Sequence, residues 1–303
     1  MKHEDIITVA CANVHQLAAG REGDLDRLTQ FIGLAARAGS NLIVFPETAF
    51  TAAGSLTDES ETLDTPRHEL AETIPGPLTE VLEKEARKHD IYVVAGMLEK
   101  DVSDPEVIYN AACVIDPEKG LAGVYRKTHL FKTEKAYLTP GDALPIFETR
   151  YGPIGVLICA DFYCYPETVR TLALDGARLI LLVTSVMVTL KDLEGKIVIY
   201  EGALEFVPDI IKVRSYENHI HIAAANTVGP SLMGYRGFGK SMIVGPHPPG
   251  SFFVKTFAGP ASQVQDELIT ATLNLKDMDA VRRRLWENRR ADLYGALIRG
   301  AKT

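Results

Sequence analysis

Six short runs of nearly unbroken apolar residues, spread along the whole chain, constrain its fold more than any other feature. They are 6–13 (IITVACAN), 42–45 (LIVF), 91–97 (IYVVAGM), 154–158 (IGVLI), 179–184 (LILLVT) and 220–225 (IHIAAA). A strand with one wet face alternates apolar and polar residues, and these do not, so they read as strands buried on both faces. Burial on both faces requires further layers, and the intervening segments supply them. Leu25, Leu28, Phe31, Ile32 and Ala35 keep helical spacing within 23–38, as do Leu78, Val81, Leu82 and Ala86 within 77–89. The segments 109–116 and 121–127 flank the turn signature Pro117-Glu118-Lys119-Gly120 and predict a hairpin. Further strands are expected at 240–245, 251–257 and 267–273. Strand–helix alternation with interspersed hairpins predicts an α/β layered fold with a mixed sheet. With 303 residues and no linker, repeat or low-complexity stretch, a single domain over 1–303 is expected. Only 186–208 (VMVTLKDLEGKIVIYEGALEFVP) follows no period, and a stretch of that length predicts either a lid or an extra helix.

Charge narrows the range of partners. Forty acidic against 32 basic residues give a net charge of −8, spread without a basic patch. Nucleic acid and anionic membrane surfaces both call for such a patch, so neither is expected. No apolar run reaches membrane-spanning length, and the opening residues lack the small-residue cleavage site of a secretory signal. Four cysteines (Cys11, Cys113, Cys159, Cys164) are too few for a disulfide framework in a chain this long, so a reduced, cytoplasmic setting is expected. Cys159 and Cys164 have the spacing of half a metal site, but no second Cys/His pair lies at ligand spacing. His219 and His221 sit two apart in a strand pattern and are expected merely to share a face. No metal and no cofactor are expected.

In layered α/β folds chemistry collects where strands end. Three reactive side chains stand there: Glu47 after NLIVFP, Lys127 closing GVYRK, and Cys159 closing IGVLI. Taken singly, each has a plain reading. A cysteine ending an apolar strand is ordinary core, and a lysine or glutamate after one is a solvated loop charge. Together they are complementary. A thiolate is a strong nucleophile, a neighbouring ammonium favours it, and a carboxylate can carry protons between nucleophile, leaving group and water. His129, two residues past Lys127, leaves a Cys–His arrangement open as a rival. Asp161, two residues past Cys159, is expected to start the following turn by accepting backbone N–H groups.

The segments FPET, YRKTHLF and GVLICAD…PE, in that order, resemble the three signature regions of the carbon–nitrogen hydrolase (nitrilase) superfamily. The resemblance extends through NAACVIDPEKG, YLTPGD…IFET, TVRTLALDGARLIL, VRSYENHIHIAAANTVG, GKSMIVGP and NRRADLYG, and so over nearly the whole chain. It implies an αββα four-layer sandwich with mixed sheets, usually assembled into dimers or larger homo-oligomers. It also implies a catalytic triad of Glu47 as base, Lys127, and Cys159 as nucleophile. Glu134 matches a second glutamate that many members place near the lysine; a loop charge is the other reading. The backbone N–H of Ala160 would join Lys127 in holding an oxyanion. The implied reaction is hydrolysis of a non-peptide carbon–nitrogen bond through a thioester.

The residues after the cysteine bear on the branch. Nitrilases proper tend to carry Trp-Glu there, and this chain has Ala160-Asp161, similar to amidases and carbamoylases. Carbamoylases that grip a carboxylate tend to place arginines just downstream, where this chain has Phe162 and Tyr163. The expectation is therefore an amidase for a small neutral or apolar amide, with Phe50, Tyr109, Phe162, Tyr163, Ser185 and Val186 as candidate pocket walls. A nitrilase, an N-carbamoyl amidohydrolase and a catalytically idle oligomeric scaffold are the alternatives. The chain departs from the family pattern in two places. Pro166-Glu167 falls one residue further from the cysteine than usual, and 186–208 does not align. Cys164, inside the lengthened loop, is expected to be a small apolar residue of the turn.

Overall fold

The computed structural model describes residues 3–15, 21–51, 67–191, 197–199, 201–230, 236–247 and 253–298. The first half of the chain carries β1 (Ile6–His15), α1 (Arg21–Arg37), β2 (Leu42–Val44), α2 (Arg67–Leu70), α3 (Pro77–His89), β3 (Tyr92–Lys100), β4 (Ile108–Asp116) and β5 (Gly120–Arg126). The second half opens with β6 (Ile146–Thr149), β7 (Gly152–Ile158), α4 (Ala160–Tyr163), α5 (Pro166–Leu174) and β8 (Leu179–Thr184). A short pair, β9 (Thr189–Lys191) and β10 (Ile197–Ile199), then leads into α6 (Glu201–Asn218) and β11 (His221–Pro230). The chain closes with β12 (Arg236–Phe238), β13 (Met242–Pro246), β14 (Val254–Ala258), β15 (Glu267–Asn274) and α7 (Asp279–Glu287).

Thirteen strands are hydrogen-bonded into one network that folds into two halves. One half runs β15-β1-β2-β3-β4-β5 and the other β14-β13-β11-β8-β7-β6, each with parallel strands at its centre and antiparallel ones at its edges. They join where Val14 and His15 of β1 pair with Thr227 and Val228 of β11, and β12 adds to β11 beside that seam. Away from the seam the halves face each other, with α1 and α3 outside the first and α5 and α6 outside the second. This is the αββα sandwich with mixed sheets.

Strand alternation explains the unbroken apolar runs. In β1, Ile7, Val9 and Cys11 enter the core between the sheets, while Ala10, Ala12 and Val14 face the helices. Strand β3 does the same, with Tyr92 and Val94 inward and Val93, Ala95 and Met97 outward. Each side chain so buried contributes about 1.5–3 kcal/mol for the larger aliphatics. Helix α3 begins with Pro77, whose missing N–H is no loss at that position, and ends at Asp90 in the left-handed region (φ 49) with its N–H turned to Ala86 and Arg87. Its Leu78, Leu82 and Ala86 form the buried stripe.

The 186–208 stretch is a strand pair followed by the first turns of α6; residues 192–196 and 200 within it lie outside the described residues. The helix escapes a periodicity reading because Pro208 lies inside it and its apolar residues do not gather on one face, Phe206, Val213 and Tyr216 being exposed. The predicted strand at 251–257 begins at Val254, with 251–252 outside the described residues. His219 stands in the turn before β11 rather than beside His221 on its face, because the helix runs on to Asn218. Among the described residues no helix is long and apolar enough to cross a membrane.

Candidate active site

Four short connections bring the reactive groups together at the end of β8. After β2, Pro46 cannot donate to the ladder, so the strand ends and the chain turns with Thr48 in the left-handed region (φ 51). Glu47 N–H donates to the carbonyl of Thr184 (3.4 Å) at the end of β8. The turn crosses over Gly96 of β3, where any Cβ would lie 2.8 Å from Glu47 Cα. On the other side, Cys159 at the end of β7 donates its N–H to Val183 (3.1 Å). Cys159 itself has φ 44 and ψ −103, a conformation costing a non-glycine residue about 1–3 kcal/mol. It is held by Phe162 and Tyr163, whose N–H groups donate to the Cys159 carbonyl (3.0 and 3.1 Å) and open α4. Glu47 and Cys159, from opposite sheets, thus flank the same two residues of β8.

Lys127 follows β5 and is tied on both sides, donating its N–H to Asn110 (2.8 Å) and accepting from Gly141 (2.8 Å). Its side chain is 1% exposed, and its ammonium donates to Glu47 Oε1 and Glu134 Oε1, both at 2.9 Å. Asn110 Nδ2 bridges the same two carboxylates at 2.7 and 3.3 Å. The remaining oxygens are held from the backbone: Ser185 N–H donates to Glu47 Oε2 (3.0 Å) and Phe131 N–H to Glu134 Oε2 (2.6 Å). Glu134 sits in a tight turn, Lys132–Ala136, and is buried, which removes the loop-charge reading.

The electrostatics follow from two carboxylates sharing one cation in a dry site. Burial opposes the Lys127 ammonium, but Glu47, Cys159 and Glu134 outweigh it and hold the lysine above its usual range. Burial and the charge of Glu47 raise the Glu134 carboxyl, with Lys127 pulling the other way. Burial, then Glu47, push the Cys159 thiol up, against the attraction of Lys127. These influences favour Cys159 as a thiol beside an ammonium, and a thiol so placed needs a base if it is to act as a nucleophile. Glu47 accepts three hydrogen bonds of the roughly four a carboxylate can take, which leaves room for one proton.

The candidate walls divide. Ser185 and Val186 leave β8 at the site; Val186 N–H donates to Asn226 Oδ1 (2.9 Å), and Val186, Cys159 and Tyr163 pack against the inter-sheet core. Tyr163 ends α4 with its hydroxyl buried. Ala160 opens α4 directly after Cys159, where a backbone N–H has no partner within its helix. The other three aromatics stand elsewhere. Phe50 packs edge-on against Phe45 in the outer core, and Phe162 is fully buried between the layers. Tyr109 lies under the Arg126 guanidinium (4.0 Å), because adjacent strand residues face opposite ways and Asn110 takes the side of Glu47.

Asp161 does not cap its own turn. Its carboxylate accepts Tyr125 OH (2.7 Å), Thr128 Oγ1 (2.9 Å) and His129 N–H (2.7 Å), and so fastens α4 to the segment carrying Lys127. The His129 ring is engaged by the same carboxylate (2.9 Å) and stacks on Tyr165 (3.8 Å between centroids), which accounts for it without a role as base. Cys164 is exposed rather than an apolar residue inside the turn, because it stands just past the last residue of the four-residue α4. All four cysteines are free. Sequence reasoning missed Asn110 and Thr184. The one available signal was a polar residue inside or closing an otherwise apolar strand, in YNAACVID and LILLVT.

The carbon–nitrogen hydrolase family model matches residues 8–283. A protein of Schizosaccharomyces pombe named "Probable nitrilase" is 28% identical, over 96% of this chain and 98% of its own length. The Pyrococcus abyssi "Nitrilase" is 30% identical over 89% of this chain and 90% of its own, and the mouse "Omega-amidase NIT2" 25% identical over 92% and 94%. Among solved structures, a carbon–nitrogen hydrolase from Helicobacter pylori G27 superposes with a TM-score of 0.82 at 24% identity, covering 99% of this chain and all of that one.

Proposed function

The chain belongs to the carbon–nitrogen hydrolase family, and from that premise we propose that it is an amidase for small molecules, releasing ammonia through a thioester on Cys159. The observation that carries this reading is the buried Lys127 ammonium between Glu47 and Glu134, beside a cysteine held at a strained strand end. An amide resists hydrolysis because nitrogen leaves poorly and the tetrahedral intermediate carries an oxyanion. Cys159 Sγ attacks the carbonyl carbon as Glu47 takes the thiol proton. Lys127 has used two of its three N–H bonds on carboxylates, and the third, with the Ala160 N–H, meets the oxyanion. As the tetrahedral intermediate collapses, the carbon–nitrogen bond breaks and Glu47 passes its proton to the departing nitrogen. The thioester remains. Glu47 then takes a proton from water, the hydroxide adds to the thioester, and the carboxylic acid leaves as Cys159 regains its proton. Glu134 holds Lys127 in place.

Nitrile hydrolysis is the second reading, favoured by the two relatives named nitrilase. Mixing the protein with pooled small amides, nitriles and carbamoyl compounds, followed by intact-mass measurement, separates the two. An acyl adduct on Cys159 from amides, with ammonia release lost in Cys159→Ala, supports the amidase. Adducts from nitriles alone move the assignment to nitrilase. Assembly into a homo-oligomer belongs to the same proposal, supported by the exposed Phe206, Val213 and Tyr216 along α6. Analytical ultracentrifugation giving only a monomer would remove that part.

A further inference from the structure

Two carboxylates that share one cation compete for it, and a base has to be the one that stays ionised. Glu47 and Glu134 are matched in most respects. Both are buried, both accept a Lys127 N–H at 2.9 Å, and each takes one backbone N–H. Where they differ, the backbone favours Glu134, since its bond from Phe131 (2.6 Å) is shorter than the bond from Ser185 to Glu47 (3.0 Å). On those bonds alone a proton entering the pair would settle on Glu47. The group that is to receive the Cys159 proton would then be occupied already.

Asn110 reverses that order. Its Nδ2 stands 2.7 Å from Glu47 Oε1 but 3.3 Å from Glu134 Oε1, so its stronger bond goes to Glu47. A hydrogen bond donated to a carboxylate favours the ionised form. Strand geometry holds the amide there. Ala112 enters the core between the sheets, and Asn110, two residues earlier on β4 and fully buried, faces the same way. Turned about, the amide would set its oxygen against two carboxylates, so its donor end is fixed toward them. The other titratable groups facing Glu47 are Lys127 after β5, Cys159 at the end of β7 and Tyr163 in α4. Lys127 serves both carboxylates at equal distance, and burial favours the neutral forms of Cys159 and Tyr163, so none of the three singles out Glu47 as the anion. Burial and the charge of Glu47 raise the Glu134 carboxyl, in keeping with Glu134 as the proton holder of the pair. We propose that Asn110 is a positioning residue that keeps Glu47, rather than Glu134, the ionised member of the pair and so assigns it the work of base. This deepens the Cys159 mechanism proposed above and rests on it.

The test reads the protonation of Glu47 through Cys159, with iodoacetamide as the probe. Sγ displaces iodide from the reagent's carbon as Glu47 takes the thiol proton, so the rate falls on the acid side as Glu47 becomes protonated. Peptide mapping across a pH series separates label on Cys159 from label on exposed Cys164. Asn110→Leu keeps most of the side-chain volume and removes the donor. Its acid midpoint is expected about half a pH unit or more above that of the wild type, because a carboxylate that loses a donor binds its proton sooner. Adding Glu134→Gln removes the competing carboxylate and leaves Lys127 to Glu47, so at least half of that rise is expected to disappear. Lost packing alone would slow the reaction without moving the midpoint. Where Asn110→Leu does not fold, Asn110→Ala with and without Glu134→Gln makes the same comparison. A midpoint raised by less than about half a unit, or a rise that Glu134→Gln leaves in place, overturns the assignment. Ammonia release from propanamide and the other pooled amides separates that failure from failure of the amidase reading. Hydrolysis with an unmoved midpoint keeps the amidase and removes the role of Asn110. A moved midpoint with no amide hydrolysed keeps the role of Asn110 and removes the amidase. Should wild-type Cys159 take no label, the acid limb of kcat/KM for propanamide supplies the midpoint, and neither label nor hydrolysis removes both.

Discussion

Lys127→Met tests the idea that one buried ammonium holds two carboxylates together. The substitution keeps most of the side-chain volume, so the loss is electrostatic rather than a cavity. Two charge-assisted hydrogen bonds of 2.9 Å disappear, each worth about 1.5–3 kcal/mol. Breaking a buried pair by removing one partner costs about 3–5 kcal/mol, and we expect a loss in that range at pH 8. For a chain of 303 residues that corresponds to a fall in Tm of about 5–8 °C. The pH dependence gives the sharper signature. In the wild type, burial and Glu47 raise the Glu134 carboxyl while Lys127 pulls it down. Without Lys127 the carboxyl rises further. A carboxyl raised above its unfolded value costs nothing below that value, near 4.3, and destabilises increasingly as pH climbs through its folded value. Urea unfolding of both proteins should therefore show a smaller gap at pH 5 than at pH 8. Adding Glu134→Gln to Lys127→Met should restore about 1–3 kcal/mol at pH 8, since the two sites are in contact. A gap below about 1 kcal/mol at pH 8, an equal gap at both pH values, or strict additivity of the two substitutions would refute the shared-cation argument.

The geometry supports three further expectations. Gly96→Ala places a Cβ 2.8 Å from Glu47 Cα, so Glu47 must shift. Steady-state kinetics should show kcat reduced about 10²-fold, with unfolding free energy lowered by about 1–3 kcal/mol. Asp161→Ala strips the acceptor from Tyr125 OH, Thr128 Oγ1 and His129 N–H. Urea unfolding should register a loss of about 2–4 kcal/mol, whereas His129→Asn should leave Cys159 acylation intact. Peptide mapping after brief iodoacetamide treatment should find label on exposed Cys164 and none on Cys11 or Cys113. Both of the latter are buried, and burial raises the Cys11 thiol and pushes that of Cys113 up to about 12.

Much of this molecule is legible before folding is considered. The both-face apolar runs at 6–13, 42–45, 91–97, 154–158 and 179–184 fall on β1, β2, β3, β7 and β8, because a strand between two layers has no wet face to record. The hairpin at 109–127 is written in its turn residues, and α3 in its terminal proline and apolar stripe. Helix α6 is not. Its exposed apolar residues and internal Pro208 blur the period that normally marks one buried face.

For the site, local sequence carries the identities and the fold carries the relations. Glu47, Lys127 and Cys159 are separately visible as reactive groups at strand ends, since the end of a strand is where a buried element reaches the rim of its layer. That Lys127 lies between Glu47 and Glu134, that Asn110 bridges them, and that Asp161 reaches Thr128 and His129 depend on contacts between residues 7 to 80 positions apart. The same holds for the aromatics. Phe50, Tyr109, Phe162 and Tyr163 are alike as wall candidates in one dimension. Three of them are consumed by core packing or by the opposite face of β4, and Tyr163 stands at the end of α4, one turn from Cys159, with its hydroxyl buried. Residue type and period determined which layers this chain builds and which groups can react. The choice of partner for each group was decided by two sheets closing on one another, because burial makes an unpaired charge or hydroxyl too costly to stand wherever the chain leaves it.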